Sequence, residues 1–168
     1  MLFRSLLKGK IAEKFFQIVL ARAEAEGLTS NDHFSVDGTQ IQAWASQKSF
    51  QKKEGGKGKD DDDEGNPSVD FHGEKRTNQT HESTTDREAR LFKKSNGAES
   101  KLSYLGHALM ENRNGLVVDA CVSQATGTAE REAALGMACA VSGEKRKTIG
   151  CDKNYDTKEC AAGMSGLN

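Results

Sequence analysis

A chain of 168 residues is long enough for one domain, yet with 35% hydrophobic and 29% charged residues it carries less core-forming material than that length suggests. A formal charge of −1 excludes a uniformly basic, histone-like binder and leaves local basic patches open. Cys121, Cys139, Cys151 and Cys160 form no C-x-x-C pair and lack zinc-ligand spacing with His33, His72, His81 or His107, so reduced thiols and a cytoplasmic location are expected.

No secretory leader precedes the first organised segment, and no apolar run approaches the ~20 residues that cross a bilayer, so no membrane association is expected. Ile11, Phe15, Ile18 and Val19 recur at i, i+4, i+7 and i+8, which predicts an amphipathic helix over Ile11 to Glu26, ended by Gly27. Such a helix needs a packing partner. The apolar stretch Met1 to Leu7 lacks a start signal and reads as once internal to something longer.

His33 to Asp37 alternates as a short strand before Gly38-Thr39 and an apolar patch at Ile41, Ala43, Trp44 and Ala45. Asp37 falls on the face opposite Phe34 and Val36. An acid there either begins a turn or caps a helix, or it is paired or holds a cation. From Lys48 to about Ser100 the composition turns to lysine, glycine and the acidic run Asp60 to Glu64. That stretch is expected to be a solvated loop, and the run lacks the alternating ligand spacing of a calcium loop. Within it Arg76, Arg87, Arg90, Lys93 and Lys94 are candidate phosphate contacts. An exposed basic loop without a partner is the alternative.

Leu102 to Met110, a turn at Glu111 to Gly115, and Leu116 to Ser123 predict a β-hairpin, since Asn114-Gly115 between two β-rich runs is a strong hairpin signal. His107 reads there as a satisfied strand histidine. Thr128 then caps a helix with Glu130 and Glu132 in its first turn, matching the dipole. Its core face is Ala134, Met137, Ala138 and Val141, and Gly143 is its stop. Lys147 to Cys151 predicts a short buried strand ending at Asp152, and Asp156-Thr157 a cap for a last helix through Cys160.

The order is helix, strand, hairpin, helix, strand, helix. The second hairpin strand, the helix from Thr128 and the strand before Asp152 make a β-α-β unit with a right-handed crossover. If the His33 strand lies between the hairpin and the last strand, Asp37 and Asp152 fall side by side, where they repel unless a cation bridges them. A hard ion such as Mg²⁺ suits such a pair. This arrangement is that of an α/β, ribonuclease H-like fold.

Val36-Asp-Gly-Thr39, Ala43-Trp-Ala-Ser46, Asn66 to Arg76, Gly106 to Gly115, Thr126-Gly-Thr-Ala-Glu-Arg131 and Asp152-Lys-Asn-Tyr-Asp156 resemble, in that order, bacterial DDE insertion-sequence transposases of the IS-five and IS-four type. The resemblance runs from about Ile11 to the last residue. It implies an N-terminal helix over 1–30 and a truncated catalytic domain over 31–168, with a disordered polar insertion at 48–100. It implies that Asp37 and Asp152 are the first two catalytic acids and ligands of Mg²⁺ or Mn²⁺. The implied activity is cleavage and joining of DNA at insertion-sequence ends, with element ends and target DNA as partners, together with self-association or association with a full-length transposase. Asp156 is the positional runner-up to Asp152, although a helix cap is its plainer role. The family's preceding helical region and its third acid, a Glu on a later helix, have no counterpart here, and Glu159 follows Asp152 too closely to stand in. The chain is therefore expected to be a fragment that cuts no DNA alone; the alternative is a non-catalytic DNA- or transposase-binding remnant.

Overall fold

The computed structural model describes residues 7–53, 69–71, 74–95, 97–141 and 145–166. The acidic run Asp60 to Glu64 and the expected helix stop at Gly143 lie outside these. The described helices are α1 (Ile11–Ala25), α2 (Ala129–Val141) and α3 (Lys158–Ser165). The long strands are β1 (His33–Gln42), β7 (Lys101–Glu111) and β8 (Val117–Gln124). The short ones are β2 (Phe50–Lys52), β3 (Val69–Phe71), β4 (Glu74–Arg76), β5 (His81–Ser83), β6 (Arg90–Phe92) and β9 (Thr148–Gly150).

One mixed sheet organises the fold. β7 pairs antiparallel with β1 from Glu111 opposite Phe34 to Ser103 opposite Gln42. Its other edge takes β6 over Lys101–Ser103 and β8 over Tyr104–Met110, with an irregularity at Leu109/Met110. Gly115 turns the hairpin at φ 72°, a conformation a Cβ would strain, which is why Asn-Gly marks this corner. β9 runs parallel to β1, with Phe34 beside Ile149 and Ser35 beside Gly150. The early strand therefore lies between the hairpin and the last strand, the condition under which the two aspartates fall side by side, and α2 makes the crossover.

Alternation along β7 puts Leu105, His107, Leu109 and Glu111 on one buried face. Phe34, Val36 and Leu109 pack there with Ala134 and Met137 of α2 and with Tyr155 and Cys160 from the C-terminal segment. Burying Leu109 completely contributes roughly 2 kcal/mol. Phe92, Leu105, Ala125 and Ala129 continue this core toward the start of α2.

Several elements depart from the sequence reading. β1 continues to Gln42, so Asp37 stands inside a strand and not at its end before a helix. The backbone of Gly38 to Gln42 pairs with β7 throughout, and that ladder outweighs any local turn preference of Gly38-Thr39. The β9 strand is not buried: Thr148 and Gly150 are exposed, because β9 lies at the edge of the sheet. Trp44, placed in an apolar patch, is 98% exposed. The helix cap before α3 is Thr157, whose Oγ1 accepts from the Cys160 N–H at 3.3 Å, while Asp156 closes the preceding 3-10 turn.

The stretch 48–100, expected to be a solvated loop, is not one across its described parts. β2 pairs with β5 and β3 with β4, while β6 joins the main sheet. Phe50, Ala89 and Leu91 bury against Ala43 and Leu102 in a second core. The few apolar residues of the stretch sit where they close that core, so low average hydrophobicity did not prevent order. Asn78 fastens it further, accepting from Leu91 N–H at 2.8 Å and donating to the Leu91 carbonyl at 3.0 Å.

Candidate functional site

The parallel pairing of β1 and β9 carries the two aspartates to one place. Ser35 is beside Gly150; two residues further along each chain come Asp37 and Asp152. β9 ends at Gly150, so among the described residues no strand pairs with that edge of β1 from Asp37 onward, and a cleft of about 390 Å³ opens there. Both aspartates line it and both are exposed.

Each carboxylate is held by its own loop or strand. Asp37 Oδ1 accepts from the Gly38 N–H at 2.7 Å. Asp152 Oδ1 accepts from the Lys153 N–H at 2.6 Å and so caps the 3-10 turn Lys153–Tyr155. Among the described residues no hydrogen bond engages the Oδ2 of either. Capping thus accounts for one oxygen of Asp152, and one oxygen of each acid is left for a ligand.

A third acid, which the sequence reading assigned only to the helix dipole, lines the same cleft. Glu130 is in the first turn of α2, and its Oε1 lies 3.0 Å from where a Cβ on Gly38 would stand. Glycine at 38 therefore makes room for this carboxylate beside Asp37. Partial burial and then the Asp37 charge push the Glu130 carboxyl above its ordinary range, with Asp152 adding to the rise; Lys94 and Arg131 oppose it. The topology held a signal for Glu130. β8 is antiparallel to β7, hence parallel to β1, so a crossover helix leaving β8 starts at the end of the sheet where β9 delivers Asp152.

The cleft also gathers cations and a phenol. Lys93 and Lys94, expected as phosphate contacts, follow β6 directly and line it together with Arg131 of α2. Tyr155 is 4% exposed, and its hydroxyl is buried with no hydrogen-bond partner among the described residues. Burial first, then the charges of Glu130 and Asp37, hold this phenol well above its ordinary range, so it stays a donor at neutral pH.

The other expected DNA contacts are not brought here. Arg76 Nη1 donates to the Phe50 carbonyl at 3.1 Å, tying β4 to β2. Arg90 Nη1 donates to the carbonyls of Arg87 at 2.7 Å and Ala89 at 3.2 Å, and Arg87 sits 4.0 Å from Glu82. Neither Asp156 nor Glu159 lines the cleft. His107 lies away from it on its strand, its Nε2 2.7 Å from Ser123 Oγ, but its Nδ1 is buried without a partner among the described residues, so the expected satisfied histidine is satisfied at one nitrogen only.

Among the described residues no three His, Cys, Asp or Glu side chains converge closely enough to enclose a metal ion by themselves. The four cysteines are free, and no helix of the described residues is long and apolar enough to cross a membrane. No known family model, characterised protein or solved structure matches the chain.

Proposed function

We propose that this chain carries the first two acids of a DDE-type transposase site on a ribonuclease H-like sheet, and that its cleft binds DNA phosphate through a divalent cation. The observation that carries the reading is the delivery of Asp37 and Asp152, by adjacent parallel strands, to one cleft that also holds Lys93, Lys94 and Arg131. The strand order β8, β7, β1, β9 with α2 as the crossover supports the fold assignment.

The donor set fits Mg²⁺ or Mn²⁺. Hard oxygen ligands are what these ions take, and Mg²⁺ sites commonly use one or two protein carboxylates while waters and phosphate complete the shell. Asp37 and Asp152 would hold the ion through their free oxygens. A cation there supplies charge neutralisation for a phosphodiester oxygen under attack. The chain's own residues do the positioning: the β1–β9 register sets the spacing of the acids, and Lys93, Lys94 and Arg131 attract the phosphate backbone.

Titrating Mn²⁺ into the whole chain, followed by electron paramagnetic resonance of the free ion, tests this. Saturable binding is expected, weakened more than about tenfold in Asp37→Asn and in Asp152→Asn. Wild-type binding that both variants retain would sink the reading.

A second reading, a non-catalytic DNA-binding remnant, is favoured by the three cations in the cleft. It is distinguished by DNA binding that persists in chelator, since phosphate contacts through Lys and Arg need no metal.

A further inference from the structure

The cleft contains two groups that the aspartate pair does not use. Glu130 brings a third negative charge beside Asp37, and nothing in the described structure neutralises it by direct contact; Lys94 and Arg131 act on it only at a distance. Three carboxylates with one glycine cleared to admit the third are an arrangement that folding stability alone disfavours. Acid clusters do occur without function, so the deciding observation is the second group. The Tyr155 hydroxyl is buried at the same cleft and meets no acceptor among the described residues. A buried hydroxyl left unpaired keeps its desolvation cost without recovering a hydrogen bond. A ligand oxygen would remove that cost.

We propose that Glu130 and Tyr155 complete the cation site from outside the ion's inner shell: Glu130 accepts hydrogen bonds from the waters a divalent cation retains, and the Tyr155 hydroxyl donates to a phosphate oxygen on that cation. This rests on the aspartate-pair reading and adds two positioning residues to it. The outer-shell role agrees with the absence of three inner-shell ligands among the described residues. Outer-shell partners of this kind typically change metal affinity by about 10–100-fold.

The test is Mn²⁺ titration of the whole chain as wild type, Asp37→Asn, Glu130→Gln and Tyr155→Phe, each with a thermal melt in chelator and a repeat titration in inorganic phosphate. Glu130→Gln should weaken Mn²⁺ by about 10–100-fold while melting no lower than wild type, because it removes a repelling charge. A residue with a merely structural role would lower the melt and the affinity together. Tyr155→Phe should leave Mn²⁺ affinity within about twofold and abolish the tightening by phosphate seen in wild type. Glu130→Asp separates charge from reach and should recover part of the affinity. If Asp37→Asn loses Mn²⁺ while Glu130→Gln binds as wild type, the aspartate pair stands and this inference is overturned. If Asp37→Asn binds as wild type while Glu130→Gln is weakened, the pair reading fails and Glu130 is retained as a cation residue. Equal phosphate tightening in wild type and Tyr155→Phe overturns the assignment of the phenol.

Discussion

Glu111 shows how a single buried charge holds the site's supporting strands. Its carboxylate, with no solvent exposure, accepts backbone N–H groups from Ser30 at 3.1 Å, Arg113 at 3.1 Å, Asn114 at 2.8 Å and Leu116 at 3.1 Å. Burial pushes its pKa up, but the four N–H donors outweigh burial and the net shift is down. A carboxylate depressed in the folded state stabilises the fold fully above its ordinary value of 4.5 and loses that contribution as pH falls through the lower folded value. Glu111→Gln should therefore cost about 1–3 kcal/mol at neutral pH, and the gap to wild type should narrow in acid. Chemical denaturation at pH about 7 and at pH about 3 measures it; a gap that widens in acid would contradict the assignment. Gly38 is the residue-scale counterpart at the cleft. Its φ is not positive, so alanine is sterically allowed by the backbone, and the atoms nearest the methyl would belong to the flexible Glu130 side chain. Gly38→Ala should leave stability within about 1 kcal/mol while weakening Mn²⁺ binding through the displaced carboxylate. Unchanged binding would mean that Glu130 does not contribute from its present position.

The elements differ sharply in how firmly they are held. α1 follows the predicted apolar spacing, yet none of its residues is buried, and Phe15 and Ile18 are 67% and 69% exposed. The segment after it is anchored instead by Arg113 Nη2 to the carbonyls of Gly27 at 2.6 Å and Thr29 at 3.0 Å, and by Asn114 to Leu28. Ile18→Ser should change unfolding free energy by less than about 0.5 kcal/mol. Leu109→Ala, at the centre of the α2-covered face, should cost about 2–5 kcal/mol. Urea denaturation of the two variants compares them directly, and a large loss from Ile18→Ser would show that α1 packs on the sheet in solution. The spacing of apolar residues was legible in α1; what covers them was not, because periodicity reports a face and not its partner.

At the scale of the whole molecule, a nearly neutral chain concentrates opposite charges in one cleft. Asp37, Glu130 and Asp152 sit with Lys93, Lys94 and Arg131, and this mixture suits a cation and a phosphate together better than either alone. Binding of duplex DNA should weaken as salt rises. Replacing both Lys93 and Lys94 by alanine should reduce the logarithmic salt slope by about 2, whereas Arg90→Ala should leave it unchanged within error. Filter binding across a salt series checks this, and an equal slope for wild type and the double variant would remove these lysines from the interface.

The sequence by itself determined the hairpin, the helices and the order in which they join the early and late strands. Asn114-Gly115 fixed a hairpin because few residues tolerate positive φ, and the apolar period of Ala134, Met137 and Ala138 fixed the crossover helix. Whether Asp37 and Asp152 meet hung on where the early strand lies, and its pairing with both β7 and β9 brings them to one cleft. The tertiary structure decided what the acids are surrounded by. Glu130, the pair Lys93-Lys94 and Tyr155 come from three separate stretches of chain, and no local pattern distinguishes an acid serving a helix dipole from one facing two aspartates. It also decided that 74–95 is built into the fold, because a handful of apolar side chains suffices once β7 and Ala43 supply the rest of their core. Local chemistry is written along the chain, whereas the electrostatics of a cleft depend on distances that only the packed sheet sets.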